Sequence, residues 1–209
     1  MCGKGGETSV PRVPTTTLVP SPVPSPVPTL ASATPHSDGV SNDEFRAAMS
    51  RLAAGVCLIT AQEPPLTDDG RRGEDVGMTA TAFMSVSLDP PLVLVSLREG
   101  SRMDDLLEEQ PLWAVSVLAD SQLQVAGRFA MKGRISDRLL FEGIPYVRGE
   151  LSGAPLLTDS LATLECRTES RVEAGDHTLV IGRVLTAALP TPDTPPLTYF
   201  RGRYRHLAP

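Results

Sequence analysis

The sequence predicts a mostly β domain, a β-barrel with helices packed on its outside, behind a proline-rich N-terminal extension. Three observations predict it. The last third carries two long alternating runs, 161–173 and 177–187, separated by Ala174-Gly175-Asp176, the pattern of an antiparallel hairpin. Ahead of them, two helical segments are inserted between apolar runs, an order that is neither regular βαβ nor a plain sandwich. Residues 1–40 and 41–209 also differ in composition, which sets the boundary between extension and domain.

Residues 1–40 contain eight prolines, no aromatic residue, and only Lys4, Glu7, Arg12 and Asp38 as charges. The run from Val19 to Pro28 places proline at every second position, removing backbone donors and biasing each preceding residue away from the helical region. The expectation is an extended, polyproline-like, disordered spacer, with an SH3-type ligand as the functional alternative.

In the domain, Ser41-Asn42-Asp43-Glu44 is a capping box opening a short amphipathic helix with Phe45, Ala48, Met49 and Leu52 on one stripe. Gly55 ends it, and residues 56–61 read as a buried strand. The charged stretch 62–75 is a solvent loop, and 76–86 resumes as extended chain. Asp89-Pro90-Pro91 turns the chain into 92–97, an apolar run expected to be buried on both faces. Ser101 caps a helix over 102–109, Pro111 stops it, and 113–118 is the next strand. A helix over 121–130 follows, then an irregular segment 131–150 with a helical turn at 136–140. After the long hairpin, 197–207 closes the chain as a strand.

Composition excludes several functions. The chain has 209 residues, with 19 Lys+Arg against 25 Asp+Glu and a formal net charge of -6. That balance argues against non-specific nucleic-acid binding, whose affinity comes mainly from neutralised phosphates. Cys2, Cys57 and Cys166 form neither a disulfide framework nor a zinc pattern, so a reducing, cytoplasmic setting is expected. No apolar run reaches the 18 or so residues of a membrane span, and prolines break every candidate signal sequence. There is no dinucleotide fingerprint, phosphate loop, metalloprotease pair or nucleophile elbow, and no metal site is expected from the domain's two histidines.

The stretch from Gly77 to Leu92, Gly-Met-Thr-Ala-Thr-Ala-Phe-Met-Ser-Val-Ser-Leu-Asp-Pro-Pro-Leu, resembles the flavin reductase-like family with the FMN-binding split-barrel fold. The likeness continues through Ser101-Arg102, Phe129-Ala130 to Gly133, Gly153-Ala154-Pro155-Leu156-Leu157 and Leu164-Glu165-Cys166. It then takes in the turn from Ala174 to Thr178, Ile181-Gly182-Arg183-Val184, and the closing Tyr199-Phe200-Arg201-Gly202-Arg203-Tyr204. The resemblance implies a homodimeric, six-stranded split barrel that binds FMN or FAD, takes NADH or NADPH as co-substrate, and serves as the small reductase component of a two-component flavin monooxygenase.

Site residues follow from the same likeness. Thr79, Ala80 and Thr81 correspond to the segment beside the isoalloxazine ring, where small side chains permit close approach and hydroxyl and backbone groups meet its polar edge. Strand propensity explains the threonines equally simply. Ser96, Ser101 and Arg102 are expected at the ribityl and phosphate, where a helix start suits an anion. Arg-Glu-Gly at 98–100 departs from the uncharged polar residue usual in relatives, and Glu99 would repel a phosphate unless it turns outward or pairs with Arg98 or Arg102. Lys132 matches the family's phosphate loop, and Phe129 is either a flavin cover or core. Asp176 and His177 match the turn at the site mouth, where the histidine places the nicotinamide. Arg203 and Tyr204 match the C-terminal signature that contacts cofactor or the second subunit. Cys166 and Trp113 read as core.

The implied reaction moves a hydride from NAD(P)H to flavin, after which reduced flavin diffuses to a separate monooxygenase. Positioning, not a general base, carries such chemistry. The rival reading is a barrel repurposed as a cyclase, isomerase or flavin oxidase on a small biosynthetic intermediate, and a third is a non-catalytic binding module. Retention of Thr79, Thr81, Lys132 and His177 favours the reductase.

Overall fold

A computed structural model of the chain describes residues 39–65, 72–131, 137–191 and 193–207. The spacer reading of residues 1–40 falls almost wholly outside them, as does Lys132. The elements described below all lie within the compact unit Ser41–Pro209.

Helix α1, Asn42–Met49, starts from the expected capping box: the Ser41 hydroxyl accepts from the Glu44 N–H at 3.3 Å, and the Glu44 carboxylate accepts from the Ser41 N–H at 2.9 Å. Strands β1 (Ala54–Gly55), β2 (Cys57–Gln62), β3 (Asp75–Ala80), β4 (Phe83–Leu88) and β5 (Pro91–Arg98) follow. Helix α2, Arg102–Glu109, leads to β6 (Leu112–Val117). A 3₁₀ turn then precedes α3 (Leu123–Ala130) and α4 (Asp137–Leu140). Strands β7 (Tyr146–Arg148) and β8 (Pro155–Leu157) pair with each other. The hairpin β9 (Ala162–Ala174) and β10 (His177–Ala188) comes next, then β11 (Leu197–Phe200) and β12 (Arg203–His206).

The main sheet has seven strands in the order β3-β2-β6-β9-β10-β5-β4, rather than the six that the resemblance implies, and every pairing in it is antiparallel. Consecutive strands β3 and β4 therefore lie at opposite ends of the order. A separate three-stranded sheet, β1-β11-β12, adjoins it where the Val56 N–H donates to the Leu197 carbonyl at 3.1 Å and the Leu197 N–H to the Leu118 carbonyl at 2.9 Å. Two apolar clusters hold the unit together. One packs Ile59, Val95, Leu97, Trp113 and Val180 under Met103 and Leu107 of α2, while the other gathers Val56, Leu58, Phe129, Phe141 and Leu197. Burying each such side chain contributes about 1.5–3 kcal/mol.

Three expectations need correction. The run 92–97 is not buried on both faces: Val93, Val95 and Leu97 are buried, whereas Leu92, Leu94 and Ser96 on the other face are half-exposed. The extended chain 76–86 breaks at Thr81-Ala82 into β3 and β4. The closing strand is a hairpin, with Arg201-Gly202 at its turn, both at positive φ. The apolar stripe of α1 is also left outside the core, with Phe45, Met49 and Leu52 all exposed.

Candidate active site

Thr81 and Ala82 join the two edge strands of the main sheet, and both are exposed. The Ala82 carbonyl accepts a hydrogen bond from the Ser96 N–H at 3.0 Å, fastening this junction to β5. Ser96 registers with Leu179 on β10, and two residues on, Arg98 registers with His177. Alternation along β5 and β10 sends Ser96 and His177 to the face opposite the core, where side chains remain accessible. The Glu99 N–H donates to the Asp176 carbonyl at 3.1 Å, and the Ser101 N–H to the Arg98 carbonyl at 3.1 Å. Thr81, Ser96, Ser101, Asp176 and His177 are thus linked through adjacent strand ends and turns.

His177 is half-exposed, and its Nδ1 lies 2.8 Å from Asp176 Oδ1. The hydrogen bond from His177, followed by its charge, holds the Asp176 carboxyl below the usual carboxylate range. With Nδ1 engaged by Asp176, Nε2 is the ring's other nitrogen. Gly175 supplies the left-handed residue, φ 67°, that the tight turn requires.

At the start of α2 the Ser101 hydroxyl accepts from the Asp104 N–H at 3.3 Å, as expected of an N-cap. Asp104 is buried; one carboxylate oxygen accepts from the Gly100 N–H at 3.1 Å and the other from Arg171 at 2.7 Å. Glu99, Glu108, Glu173 and His177 border the same pair around a cavity of about 240 Å³. Sixty-seven residues separate Asp104 from Arg171, and no sequence signal joins them.

Other candidates lie elsewhere. Arg102 bridges Glu63 at 2.7 Å and Glu74 at 2.9 Å, at the two ends of the charged loop, so a phosphate would compete with two carboxylates for it. Glu99 therefore does not have Arg102 to itself as a neutralising partner. The Thr79 hydroxyl donates to the Ala126 carbonyl at 2.8 Å, beneath α3, and Ala80 is buried. Phe129 belongs to the core: it is 2 % exposed and packs on Phe141 at a centroid distance of 4.8 Å. A flavin-covering role is corrected on that ground, because no ring face is left for a ligand. Arg203 is exposed on β12, and half-buried Tyr204 stacks edge-on to Tyr199 at 5.4 Å, its hydroxyl pKa raised by burial. Both sit on the three-stranded sheet, which shares no strand pairing with β5 or β10.

The residues present fit a flavin at the β3–β4 junction. Exposed Thr81 and Ala82 and half-buried Ser96 leave a flat ring room to approach, and an edge strand carries backbone groups not used by the ladder. The adjoining hairpin tip supplies an imidazole held by a carboxylate.

Comparison with known proteins agrees. Residues 49–208 match the family model described as flavin reductase like domain. An NADH-dependent FAD reductase of Streptomyces globisporus is 41 % identical over 136 residues, covering 65 % of this chain and 74 % of that one. The reductase component of 4-hydroxyphenylacetate 3-monooxygenase from Thermus thermophilus is 37 % identical over 166 residues, 79 % of this chain and 96 % of its own. Among solved structures, the Streptomyces globisporus NADH:FAD oxidoreductase SgcE6 superposes with a TM-score of 0.73 at 33 % identity, covering 86 % of this chain and all of that one. BorF, the flavin reductase component of a bacterial two-component tryptophan halogenase, gives 0.70 at 36 % identity, over 80 % and 98 % of the two chains.

The chain belongs to the flavin reductase-like family and has its split-barrel fold. Relatives of this chain are named as NADH-dependent flavin reductases or as reductase components of a monooxygenase and of a two-component halogenase.

Proposed function

We propose that this protein is a cytoplasmic, homodimeric NAD(P)H:flavin oxidoreductase that reduces FMN or FAD at the β3–β4 junction and releases it to a separate monooxygenase. The observation that carries this reading is that β5 joins the two parts: its Ser96 N–H is bonded to Ala82 at the β3–β4 junction, and beyond its end the Glu99 N–H is bonded to Asp176 of the Asp176-His177 turn. A bound flavin supplies the hydride acceptor. The chain's own contribution is geometric: Thr81, Ala82 and Ser96 bound the place of the ring, and His177, steadied by Asp176, orients the nicotinamide above it. Pre-set orientation of this kind removes much of the entropic barrier to a reaction between two bound molecules. Thr79 and Ala80 support this wall from behind. Ser101, Arg102, Lys132, Arg203 and Tyr204 remain proposed contacts to the flavin's phosphate side or to the second subunit.

A homodimer is supported by the surface. Met84, Val86 and Leu88 on β4 are 59 %, 48 % and 95 % exposed, and Val172 on β9 is 48 % exposed. Half-exposed Leu94, Leu179 and Ile181 lie on strands between them. An apolar stretch of this kind marks an association face. A cytoplasmic setting accords with the unpaired, buried thiols of Cys57 and Cys166.

The test is NADH and NADPH consumption at 340 nm in air, with FMN, FAD or no flavin. The reading expects oxidation that depends on added flavin. Flavin-independent consumption, or none under any combination, overturns it.

A further inference from the structure

The hairpin β9–β10 is not supported equally on its two sides. On one side β5 follows it to the end, with Arg98 registered to His177. On the other, the ladder with β6 stops where Leu112 faces Arg167, and one further bond runs from the Thr168 N–H to the Pro111 carbonyl at 2.8 Å. From 169 to 174, β9 therefore has no strand paired to its outer edge among the described residues. The stretch that carries Asp176 and His177 is thus held by a strand on one side only, and strand ends of that kind open locally at low cost.

A side-chain pair supports the open side. Arg171 registers with Val180, and Glu173 with Thr178; both β10 residues are buried, so the β9 residues opposite them share the core face. There one guanidinium nitrogen of Arg171 donates to Asp104 Oδ1 at 2.7 Å and another to the Asp104 carbonyl at 3.3 Å, a fork on the first turn of α2. The second oxygen of the same carboxylate accepts from the Gly100 N–H at 3.1 Å. Gly100 lies in the turn closed by the Ser101 N–H on the Arg98 carbonyl, and its neighbour Glu99 donates to the Asp176 carbonyl. Asp104 therefore fixes both partners of the bond that fastens the tip, the loop through Gly100 and the hairpin through Arg171. The Asp104 side chain is 7 % exposed and that of Arg171 24 %, so water competes weakly for either. Apolar side chains of similar volume would stabilise such a place as well. What the fork adds is a defined distance and direction between α2 and the hairpin.

We propose that the Asp104–Arg171 pair positions His177 for its work on the nicotinamide by holding the hairpin tip against the start of α2. The proposal rests on the reductase reading above and deepens it, since it names the residues through which the histidine is aimed. Both are positioning residues, acting through the imidazole and not on the reacting atoms. The test is a double-mutant cycle. With flavin saturating, kcat and KM for NADH are measured on wild type, Asp104→Asn, His177→Ala and the double variant, well below the Tm of each. Asp104→Asn keeps an acceptor for Gly100 and removes the charge that Arg171 meets. The expected result is kcat/KM for NADH lowered about fivefold by Asp104→Asn in wild type, and by less than about 1.5-fold once the imidazole is gone. Arg171→Met makes the same comparison from the other partner, should Asp104→Asn not fold. Hydrogen exchange at the amides of 175–178 should quicken about tenfold in Asp104→Asn, while the β2–β3 ladder is unchanged. A loss of equal size with and without His177 overturns the proposal, because the pair would then act by another route. Unchanged kcat/KM in the single variant, or unchanged exchange at the tip, overturns it too and leaves the pair a matter of stability alone. Wild type that oxidises no NADH with either flavin would instead remove the reductase reading, and the exchange result would then decide by itself whether the pair holds the tip.

Discussion

The N–H of Glu99 donates to the carbonyl oxygen of Asp176 at 3.1 Å, so the loop that caps α2 and the tip of the β9–β10 hairpin are joined backbone to backbone. The bond places the imidazole of His177 at a fixed height beside the end of β5. Because it uses no side chain, the Arg-Glu-Gly departure at 98–100 leaves it intact.

If His177 orients the nicotinamide, His177→Ala should lower kcat/KM for NADH by about tenfold or more, close to 1.4 kcal/mol in the barrier. The dissociation constant for flavin should stay within about twofold. Asp176→Asn, which keeps the turn and removes the charge, should give a smaller loss in the same parameter. Steady-state kinetics with each substrate varied in turn will separate the two effects. A variant that binds flavin poorly while using NADH normally would place His177 on the flavin instead.

The exposed β4 face predicts the oligomeric state. Wild type should elute as a dimer in size-exclusion chromatography with light scattering, and Met84→Asp, which sets a charge into the apolar face, should shift it toward monomer. Loss of flavin reduction in step with dimer loss would show that the second subunit completes the site.

Glu165 is 3 % exposed yet charged, and its role is structural. Burial pushes its carboxyl up, but hydrogen bonds from the N–H and hydroxyl of Ser152, the Leu151 N–H and the Thr186 hydroxyl outweigh it and leave the pKa lowered. These bonds measure 2.7, 2.8, 2.9 and 3.1 Å. Glu165→Ala strands buried donors and should cost about 3 kcal/mol, lowering Tm by roughly 6–12 °C. With the folded pKa below the unfolded value of about 4.3, the carboxylate's contribution is fully present above that pH and is lost as pH falls through the folded value. The stability gap between wild type and variant should therefore narrow on acidification below about pH 4, as read by urea denaturation.

Trp113 is fully buried and its indole lies across Gly182, where an added Cβ would come within 2.4 Å of the ring. Gly182→Ala must displace the indole or bend β10, at a cost of about 1–3 kcal/mol. Thermal denaturation of the variant measures it, and an unchanged Tm would mean that the ring has room to move.

Much of this architecture is legible in the sequence wherever the signal is local. The Ser41–Glu44 box, the Ser101 cap and the alternating runs about Gly175 each specify an element through neighbours a few residues apart. What escapes is long-range. The break at Thr81-Ala82 arises because β3 and β4 pair with different strands, β2 and β5. Pairing of β7 with β8, and of β1 with β11, rests on runs too short to carry a period. At the site, Asp176-His177 is found where the turn predicts, whereas Arg102 depends on Glu63 and Glu74, residues 39 and 28 positions away. Phe129 shows the limit most plainly: its sequence position suits a ligand cover and a core ring equally, and packing against Gly77 and Phe141 makes it the latter.

The most direct test of the central claim is an anaerobic rapid-mixing experiment in which the protein and oxidised flavin meet NADH, with the flavin's visible absorbance followed in time. The account predicts bleaching that is fast, saturable in NADH, slowed when the transferred hydrogen is deuterium, and slowed again by His177→Ala. Flavin that binds and stays oxidised would contradict it, and the barrel would then serve a chemistry other than hydride transfer.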